Sequence, residues 1–262
     1  MTKNSNFCSR NISENNMRLL RSNWEFGCRT FWSTNNIRSD VMSENLFTEW
    51  FAIILDKHQE KWRAYHTVIH LVEMLRYLEI LSDECLSMNE EEKSILIMAT
   101  FFHDSIYDPK SQSNEEDSAK LYQDFCSQVD VNEKLSRRYH SPHEVVIDYI
   151  LASKHHQIPS NFSDDSLLRI FLDMDLSVLG KVEDAYDSYV GLIRKEYIHI
   201  DRRLFCTKRA DILSTFLHSG DIFHSPYMKN SLEYRAIENL NREIEKLRKG
   251  IIPNENKGLQ HD

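Results

Sequence analysis

The sequence predicts an all-α fold built as one globular domain. Glycine and proline are scarce, at 6 and 5 residues in 262, whereas folds with many strands and tight turns use both often. Apolar residues recur three and four positions apart in most segments, which is the period of a helix. Hydrophobic residues make up 41% and charged residues 28% of the chain, as in proteins that bury a core. No internal repeat or Gly/Ser-rich linker divides it, so we expect eight or more helices in one domain.

The first half of the chain contains four predicted helices. Helical spacing marks residues 46–54 and 71–78, through Leu46, Trp50, Ile53 and Ile54 and through Leu71, Met74, Leu75 and Leu78. Residues 91–102 are apolar almost without interruption and too many for an ordinary strand, which predicts a buried central helix. Ser113 and Glu116 have the spacing of a capping box ahead of an apolar pattern, so a helix is expected to begin there.

Helices are also predicted for most of the second half. Segments 143–155 and 166–171 have helical patterns, and a long helix follows Gly180, with apolar residues at Tyr186, Tyr189, Val190, Ile193 and Tyr197. Segments 212–217 and 231–249 complete the set. We place the domain at residues 17–249, between a polar arm at 1–16 and a polar tail at 250–262, and we expect both ends to be flexible.

Charge and cysteine content narrow the classes of function. The 32 basic and 41 acidic residues give a net charge of −9, which disfavours binding to long nucleic acids. The five cysteines are scattered and never spaced C-x-x-C, so neither a zinc knuckle nor a disulfide framework is indicated. The N-terminus has no apolar signal region, and no apolar stretch approaches the length of a membrane span. We therefore expect a cytoplasmic protein with no membrane partner.

The first candidate site is the histidine pair His66 and His70. Residues four positions apart share one face of a helix, so the two imidazoles are expected to converge on one point. Such a pair can bind a metal ion, or one member can bind while the other transfers a proton. A pair that only packs or lies on the surface is the competing interpretation.

The second candidate is His103-Asp104, at the end of the apolar segment 91–102. A charged acid beside a dry core costs free energy unless it is paired or coordinated, which makes Asp104 a candidate metal ligand. The alternative is a histidine at a helix C-terminus, with Asp104 turned to solvent.

The third candidate is the pair Asp173 and Asp175, which interrupts an apolar segment. Carboxylate oxygens suit Mg²⁺ or Mn²⁺, and imidazole nitrogens suit Mn²⁺, Fe and Zn²⁺. A loop in which one acid caps the next helix would explain the pattern equally well.

Candidate substrate contacts lie near these motifs. Cationic side chains stabilise a transferring phosphoryl group, although each is also explained as surface charge or as compensation of a helix dipole. The cationic candidates are Arg63, Lys154, Arg194 and Arg209, and His156 ends the basic cluster that begins at Lys154. Polar candidates are Asn114 and Glu115, which could contact a nucleoside or a metal-bound water or simply start a helix, and Asp173.

Taken in order, H-x-x-x-H, His-Asp and a late Asp resemble the HD superfamily of metal-dependent phosphohydrolases. The resemblance covers about residues 20–245. Its four segments are RAYHTVIH at 63–70, FHDSIYD at 102–108, NEEDSA at 114–119 and LDMDLSVLG at 172–180. These segments are similar to the signatures of a subfamily of predicted HD phosphohydrolases.

The resemblance implies a role for each candidate in the first two motifs. Residues 65–70 are similar to the Y-H-N-x-x-H segment of cyclic-nucleotide phosphodiesterases, which implies that His70 binds metal and that His66 is the general acid. His103 and Asp104 correspond to the name-giving ligand pair, and Asp104 would bridge two ions if two are bound. Thr67 stands where phosphodiesterases have Asn, and the histidine that they carry four residues after the pair is missing. Both differences disfavour a cyclic nucleotide as substrate.

The late acid supplies the closing ligand in this resemblance. Asp175 corresponds to the second acid of the family's D-x-D-L segment, and Asp173 is the competing choice because spacing does not separate the two.

The expected activity is hydrolysis of a phosphoester or phosphoanhydride bond by attack of a metal-bound water, with His66 and Asp104 as catalytic residues. We expect one or two divalent ions, Mn²⁺ or Mg²⁺, with Fe, Zn²⁺ or Ni²⁺ as alternatives. The expected partner is a nucleotide or another small phosphate ester, and a homodimer is an open option. Two alternatives are a catalytically silent module that binds metal or nucleotide for regulation, and a structural protein whose histidines only pack.

Overall fold

Helices make up all the regular structure that the computed structural model describes, which is residues 12–33, 41–84, 87–129, 141–156, 158, 165–218 and 220–255. The ten α-helices in these ranges are α1 (Glu14–Ser33), α2 (Val41–Lys57), α3 (Val68–Glu84), α4 (Glu90–Phe102), α5 (Asn114–Val129), α6 (Pro142–Ala152), α7 (Ser166–Leu176), α8 (Glu183–Glu196), α9 (Arg202–His218) and α10 (Pro226–Arg248). A 3₁₀ turn, Ser177–Gly180, continues α7. The described residues contain no strand, so the predicted all-α class is confirmed.

The apolar segment 91–102 forms the central helix, as predicted. Residues 94–102 of α4 are all buried, and the helix packs against α1, α3, α5, α6 and α7. A helix that is apolar all round is stable only when other elements cover every side. Its last turn carries Phe101 and Phe102, whose rings contact that of Trp24 on α1. This packing fixes the C-terminal end of α4, where the sequence places His103 and Asp104.

Helix α1 begins at Glu14, ahead of the predicted domain boundary at residue 17. Its buried hydrophobic side chains are Leu20, Trp24, Cys28 and Phe31, and their spacing of three and four residues follows the helical period. Residues 1–11 of the predicted arm lie outside the described residues.

Among the described residues, two helix starts carry capping boxes, and neither is the predicted one. Asn89 caps α4 and exchanges hydrogen bonds with Glu92, and Ser141 caps α6 with Glu144 in the same way. Helix α5 does begin at Asn114 as expected. There, however, the Ser113 hydroxyl donates to Asp117 and the Glu116 carboxylate accepts from Lys154. Both side chains of the predicted box therefore have other partners.

The segment after α10 packs on the domain over residues 250–255. Ile252 is buried, and the Glu255 carboxylate accepts two hydrogen bonds from the Arg202 guanidinium. A Cβ atom on Gly191 of α8 would lie 2.7 Å from the carbonyl oxygen of Asn254, so only glycine permits this approach. The remainder of the predicted tail lies outside the described residues.

Within the part of the chain that the structure describes, no helix combines the length and the apolarity that crossing a bilayer would require.

Candidate metal centre

Four donor atoms from three helices and one turn converge in a single cluster. His70 lies in the first turn of α3, His103 caps the end of α4, Asp104 follows it, and Asp175 lies in the last turn of α7. His70 Nε2 is 3.0 Å from Asp175 Oδ1 and 3.9 Å from Asp104 Oδ2. His103 Nε2 is 3.2 Å from Asp104 Oδ2 and 3.7 Å from Asp175 Oδ1. Each of the two imidazole nitrogens thus lies within 4 Å of both carboxylates.

The spacing of these donor atoms fits a single divalent ion. Ligand atoms about 2.1 Å from one ion in octahedral geometry lie about 3 Å apart when adjacent and about 4 Å apart when opposite. The four measured separations fall between 3.0 and 3.9 Å. His70, His103 and Asp104 alone already meet the spacing expected of a metal-binding group.

The buried His103 ring is an independent sign of a cation site. Its Nδ1 lies 2.9 Å from the Thr100 carbonyl oxygen, which makes Nδ1 the protonated nitrogen. Nε2 is buried and forms no hydrogen bond with the described residues, although carboxylate oxygens of Asp104 and Asp175 lie 3.2 and 3.7 Å away. In the neutral ring its lone pair would be available to a metal ion, which would satisfy this buried nitrogen. The residues present therefore fit a divalent ion.

The electrostatics of the cluster favour a positive charge between the histidines and the acids. Burial lowers the pKa of His103, but the Asp104 and Asp175 carboxylates outweigh burial and raise it well above 6.5. Burial raises the pKa of Asp104, but His103 and His66 outweigh it and hold that pKa well below 3.8. The pKa of Asp175 is likewise held well below its ordinary value, chiefly by His103 against the opposing effect of burial. A divalent ion would supply the charge that a proton on His103 otherwise supplies.

His66 reaches the site from outside the helix, which corrects the predicted arrangement. The sequence predicts His66 and His70 on one helix face, but α3 begins at Val68 and His66 lies in the preceding turn. Thr67 starts the helix: its carbonyl accepts from the His70 amide, and its hydroxyl accepts from the Ile69 amide. The two imidazoles still converge, with ring centroids 5.9 Å apart, and His66 Nε2 lies 4.0 Å from Asp104 Oδ2.

Glu196, at the end of α8, holds this turn and is a site residue that the sequence analysis missed. One carboxylate oxygen accepts from the backbone amides of residues 64, 65 and 66 at 2.7–3.0 Å. The other lies 2.7 Å from His66 Nδ1 and accepts from the Tyr107 hydroxyl at 2.9 Å. These contacts lower the pKa of Glu196 to about 2 against the opposing effect of burial. Glu196 therefore stays ionised and directs His66 Nε2 toward the site.

The choice between the two late acids follows from helix geometry. Asp173 and Asp175 both lie in α7, where residues two apart point to nearly opposite sides. Asp175 faces His70 and His103, whereas Asp173 is fully buried and accepts from the amides of His224 and Ser225 at 2.8 and 2.6 Å. Asp173 thus anchors the start of α10 instead of contacting a ligand, which corrects its predicted role as a substrate contact.

Replacing these two acids is expected to affect different properties, stability for Asp173 and Mn²⁺ affinity for Asp175. Asp173→Ala leaves two buried amides without an acceptor, so we expect unfolding to become easier by about 1–3 kcal/mol, a fall in Tm of about 2–4 °C per kcal/mol. Its affinity for Mn²⁺ should not change. For Asp175→Ala, the loss in free energy of Mn²⁺ binding should be at least as large as any loss in free energy of unfolding. Thermal unfolding and Mn²⁺ titration of both variants test the assignment, and a reversed pattern would contradict it.

His156 approaches the same acid from the turn after α6. Its Nε2 lies 3.1 Å from Asp175 Oδ2, and its ring meets that of Phe216 edge to face. The backbone at His156 is left-handed, with φ of 50°, a conformation that costs a non-glycine residue free energy and clusters at functional sites. The structure thus places His156 beside the metal donors, and its contact with a substrate stays a prediction.

Arg63 lies beneath the site instead of facing it. Its side chain has no exposed surface, and its guanidinium donates to the carbonyl oxygens of His66, Asp104 and Ser105 and to the Glu60 carboxylate. All these partners belong to the protein. The structure therefore does not support the predicted contact between Arg63 and a phosphate.

The remaining candidates form neighbouring polar contacts. The Asn114 amide group pairs with the backbone of Asp108. The Lys154 ammonium donates to Gln112 and Glu116 and lies 3.9 Å from the Glu115 carboxylate. Within the described part of the chain, the hydrogen bonds of these side chains do not reach the four donor residues. Their substrate contacts stay predictions.

Two further arginines named by the sequence analysis are engaged elsewhere. Arg194 donates to the carbonyl oxygens of Tyr197 and Ile200 at the end of α8. Arg209 forms an ion pair with the buried Glu243.

The sequence model of the HD domain family matches residues 67–215, which is more than half of the 262-residue chain. No curated protein and no solved structure matches the chain.

Proposed function

Because the chain belongs to the HD domain family, we propose that it hydrolyses a phosphoester or phosphoanhydride bond of a nucleotide or another small phosphate ester. The proposal rests on one observation, that a candidate metal site and a candidate proton donor lie next to each other. A cluster of two histidines and two acids fits a divalent ion, and a third histidine, oriented by a buried carboxylate, points into the same space.

His70, His103, Asp104 and Asp175 would hold the ion. When bound, a divalent ion lowers the pKa of a water molecule and neutralises charge on phosphoryl oxygens. We favour Mn²⁺ or Mg²⁺ because half of the donors are carboxylates, with Fe and Zn²⁺ as alternatives because the other half are imidazoles. If two ions are bound, Asp104 would contribute to holding both.

The chain's own part in the reaction is to supply a proton to the departing oxygen from His66 Nε2. Glu196 fixes the tautomer by accepting at Nδ1, so the second proton of the imidazolium lies on Nε2 and faces the site. Burial lowers the pKa of His66, but Glu196 and Asp104 outweigh it and raise that pKa above 6.5. The two carboxylates thus favour the protonated form of His66, which is the form that acts as a general acid.

Substitution of Glu196 is expected to move the pH profile. Glu196→Gln removes the charge that holds the proton on His66, so the pKa of His66 falls. Since the protonated form is the active one, the alkaline limb of the plot of kcat/KM against pH should shift to lower pH. The rate at low pH should change less than the rate at high pH. An alkaline limb at the wild-type position would show that His66 is not the acid in question.

The proposal is tested by phosphate release from a panel of nucleoside mono-, di- and triphosphates. Protein supplied with Mn²⁺ is compared with protein in EDTA and with the Asp104→Ala variant. We expect release that requires the metal and disappears in the variant. Binding of Mn²⁺ or nucleotide by the folded protein with no release across the panel would favour a catalytically silent regulatory module instead.

A further inference from the structure

The buried Arg63 guanidinium connects the two segments that form the site. One terminal nitrogen, Nη1, donates to the carbonyl oxygen of His66 at 3.0 Å and to that of Asp104 at 2.7 Å. The other, Nη2, donates to the carbonyl oxygen of Ser105 at 3.1 Å. The Glu60 carboxylate binds Nε at 3.1 Å and so fixes the plane of the group. Arg63 thus bridges backbone positions 38 residues apart in the chain, 66 and 104.

These carbonyl oxygens create a requirement that few side chains meet. The side chain of Arg63 is completely covered and the Ser105 residue is fully buried, and buried carbonyl groups without donors cost free energy. A planar guanidinium presents five N–H groups in a fixed fork, whereas a lysine ammonium has three N–H groups on one atom and cannot span the three carbonyl oxygens in the same way. The guanidinium carbon also lies 5.2 Å from the centre of the Tyr107 ring, and that ring lies 4.3 Å from the His66 ring.

We propose that Arg63 is a positioning residue that sets the distance between His66 and the His103-Asp104 pair. The expected effect of Arg63 on catalysis rests on the proposed function, whereas its expected effect on metal binding does not. The fork holds the main chain at His66 and Asp104 to one rigid group. Loss of the fork lets the turn before α3 and the turn after α4 move apart. Asp104 then moves away from the other three donors, and His66 moves away from the departing oxygen that it would protonate.

The first test is the affinity of the purified full chain for Mn²⁺. For Arg63→Lys, which keeps the charge and loses the fork, we expect the Kd for Mn²⁺ to rise by about 10- to 100-fold, the range found for residues that support metal ligands. Glu60→Gln, which leaves the fork in place but replaces the charged acceptor at Nε by a weaker neutral one, should raise the Kd by less. Both variants are measured by the loss of the free Mn²⁺ signal in electron paramagnetic resonance.

A matched control separates positioning from general loss of stability. Leu240→Ala opens a cavity in α10, which contributes no side chain to the donor cluster. We expect it to lower Tm yet keep the wild-type Kd. If Arg63→Lys does not fold, Glu60→Gln carries the test alone. A wild-type Kd in the folded Arg63 variant, or in Glu60→Gln when it stands alone, would overturn the proposal, and so would an equal weakening in Leu240→Ala.

A second readout separates this proposal from the proposed function. At saturating Mn²⁺, Arg63→Lys should lower kcat more than it raises KM, and the loss should shrink in a His66→Ala background because the two residues then act through one step. If wild-type protein binds Mn²⁺ but hydrolyses none of the esters tested, the proposed function fails. The change in Kd still decides the role of Arg63.

Discussion

Replacement of Asp104 by alanine is expected to reduce phosphate release to the level measured in EDTA. The Asp104 carboxylate lies 3.2 Å from His103 Nε2, 3.9 Å from His70 Nε2 and 4.0 Å from His66 Nε2, so it is the acid that all three imidazoles share. Its loss removes one of the two carboxylates of the proposed metal site and leaves Asp175 as the charge partner that His70 and His103 share. Both the Kd for Mn²⁺ and the rate of hydrolysis should report the change.

An exposed acid outside the cluster provides the control for this prediction. Asp211 lies on the outer surface of α9, and Asp211→Ala should leave the Kd and the rate as they are. Tight Mn²⁺ binding by folded Asp104→Ala protein, together with undiminished hydrolysis, would remove Asp104 from the site.

The second large effect is expected for His66→Ala. General acid catalysis contributes about 100- to 10,000-fold, so kcat should fall by that order while the Kd for Mn²⁺ stays close to the wild-type value. The loss should be smaller for a phosphate ester whose leaving group is a weak base, since such a group departs without a proton. Steady-state rates with an aryl ester and an alkyl ester of phosphate compare the two cases.

The control for this variant replaces an exposed histidine in the turn after α8, as His199→Ala. It should keep the wild-type rate with both esters. Equal losses for the two esters in His66→Ala would argue against proton donation by His66, and loss of Mn²⁺ would instead make His66 a ligand.

The sequence predicts those features of the site that depend on neighbours in the chain. The apolar run before His103 requires a buried helix, and this helix necessarily delivers His103 and Asp104 at its end. The predicted family is confirmed by the match over residues 67–215. Residue type then indicates metal chemistry, because imidazoles and carboxylates are the side chains that bind Mn²⁺ and related ions.

Features that depend on long-range contacts are not predictable in this way. Glu196 contacts His66 across 130 residues of sequence, and nothing in its own segment distinguishes it from a surface acid at the end of a helix. Arg63 gives no sequence signal that separates a buried fork from a phosphate ligand. Asp173 and Asp175 are indistinguishable by spacing until the helix that contains them is placed against its neighbours.

The most direct test of the central claim is a titration of chelator-stripped protein with Mn²⁺, in which bound metal and phosphate release are measured in the same samples. Electron paramagnetic resonance gives the bound fraction, and the substrate is whichever nucleotide the panel identifies. We predict that hydrolysis rises in proportion to bound Mn²⁺ and that His103→Ala protein shows neither. Full hydrolysis without bound metal, or unchanged Mn²⁺ binding in folded His103→Ala protein, would contradict the account.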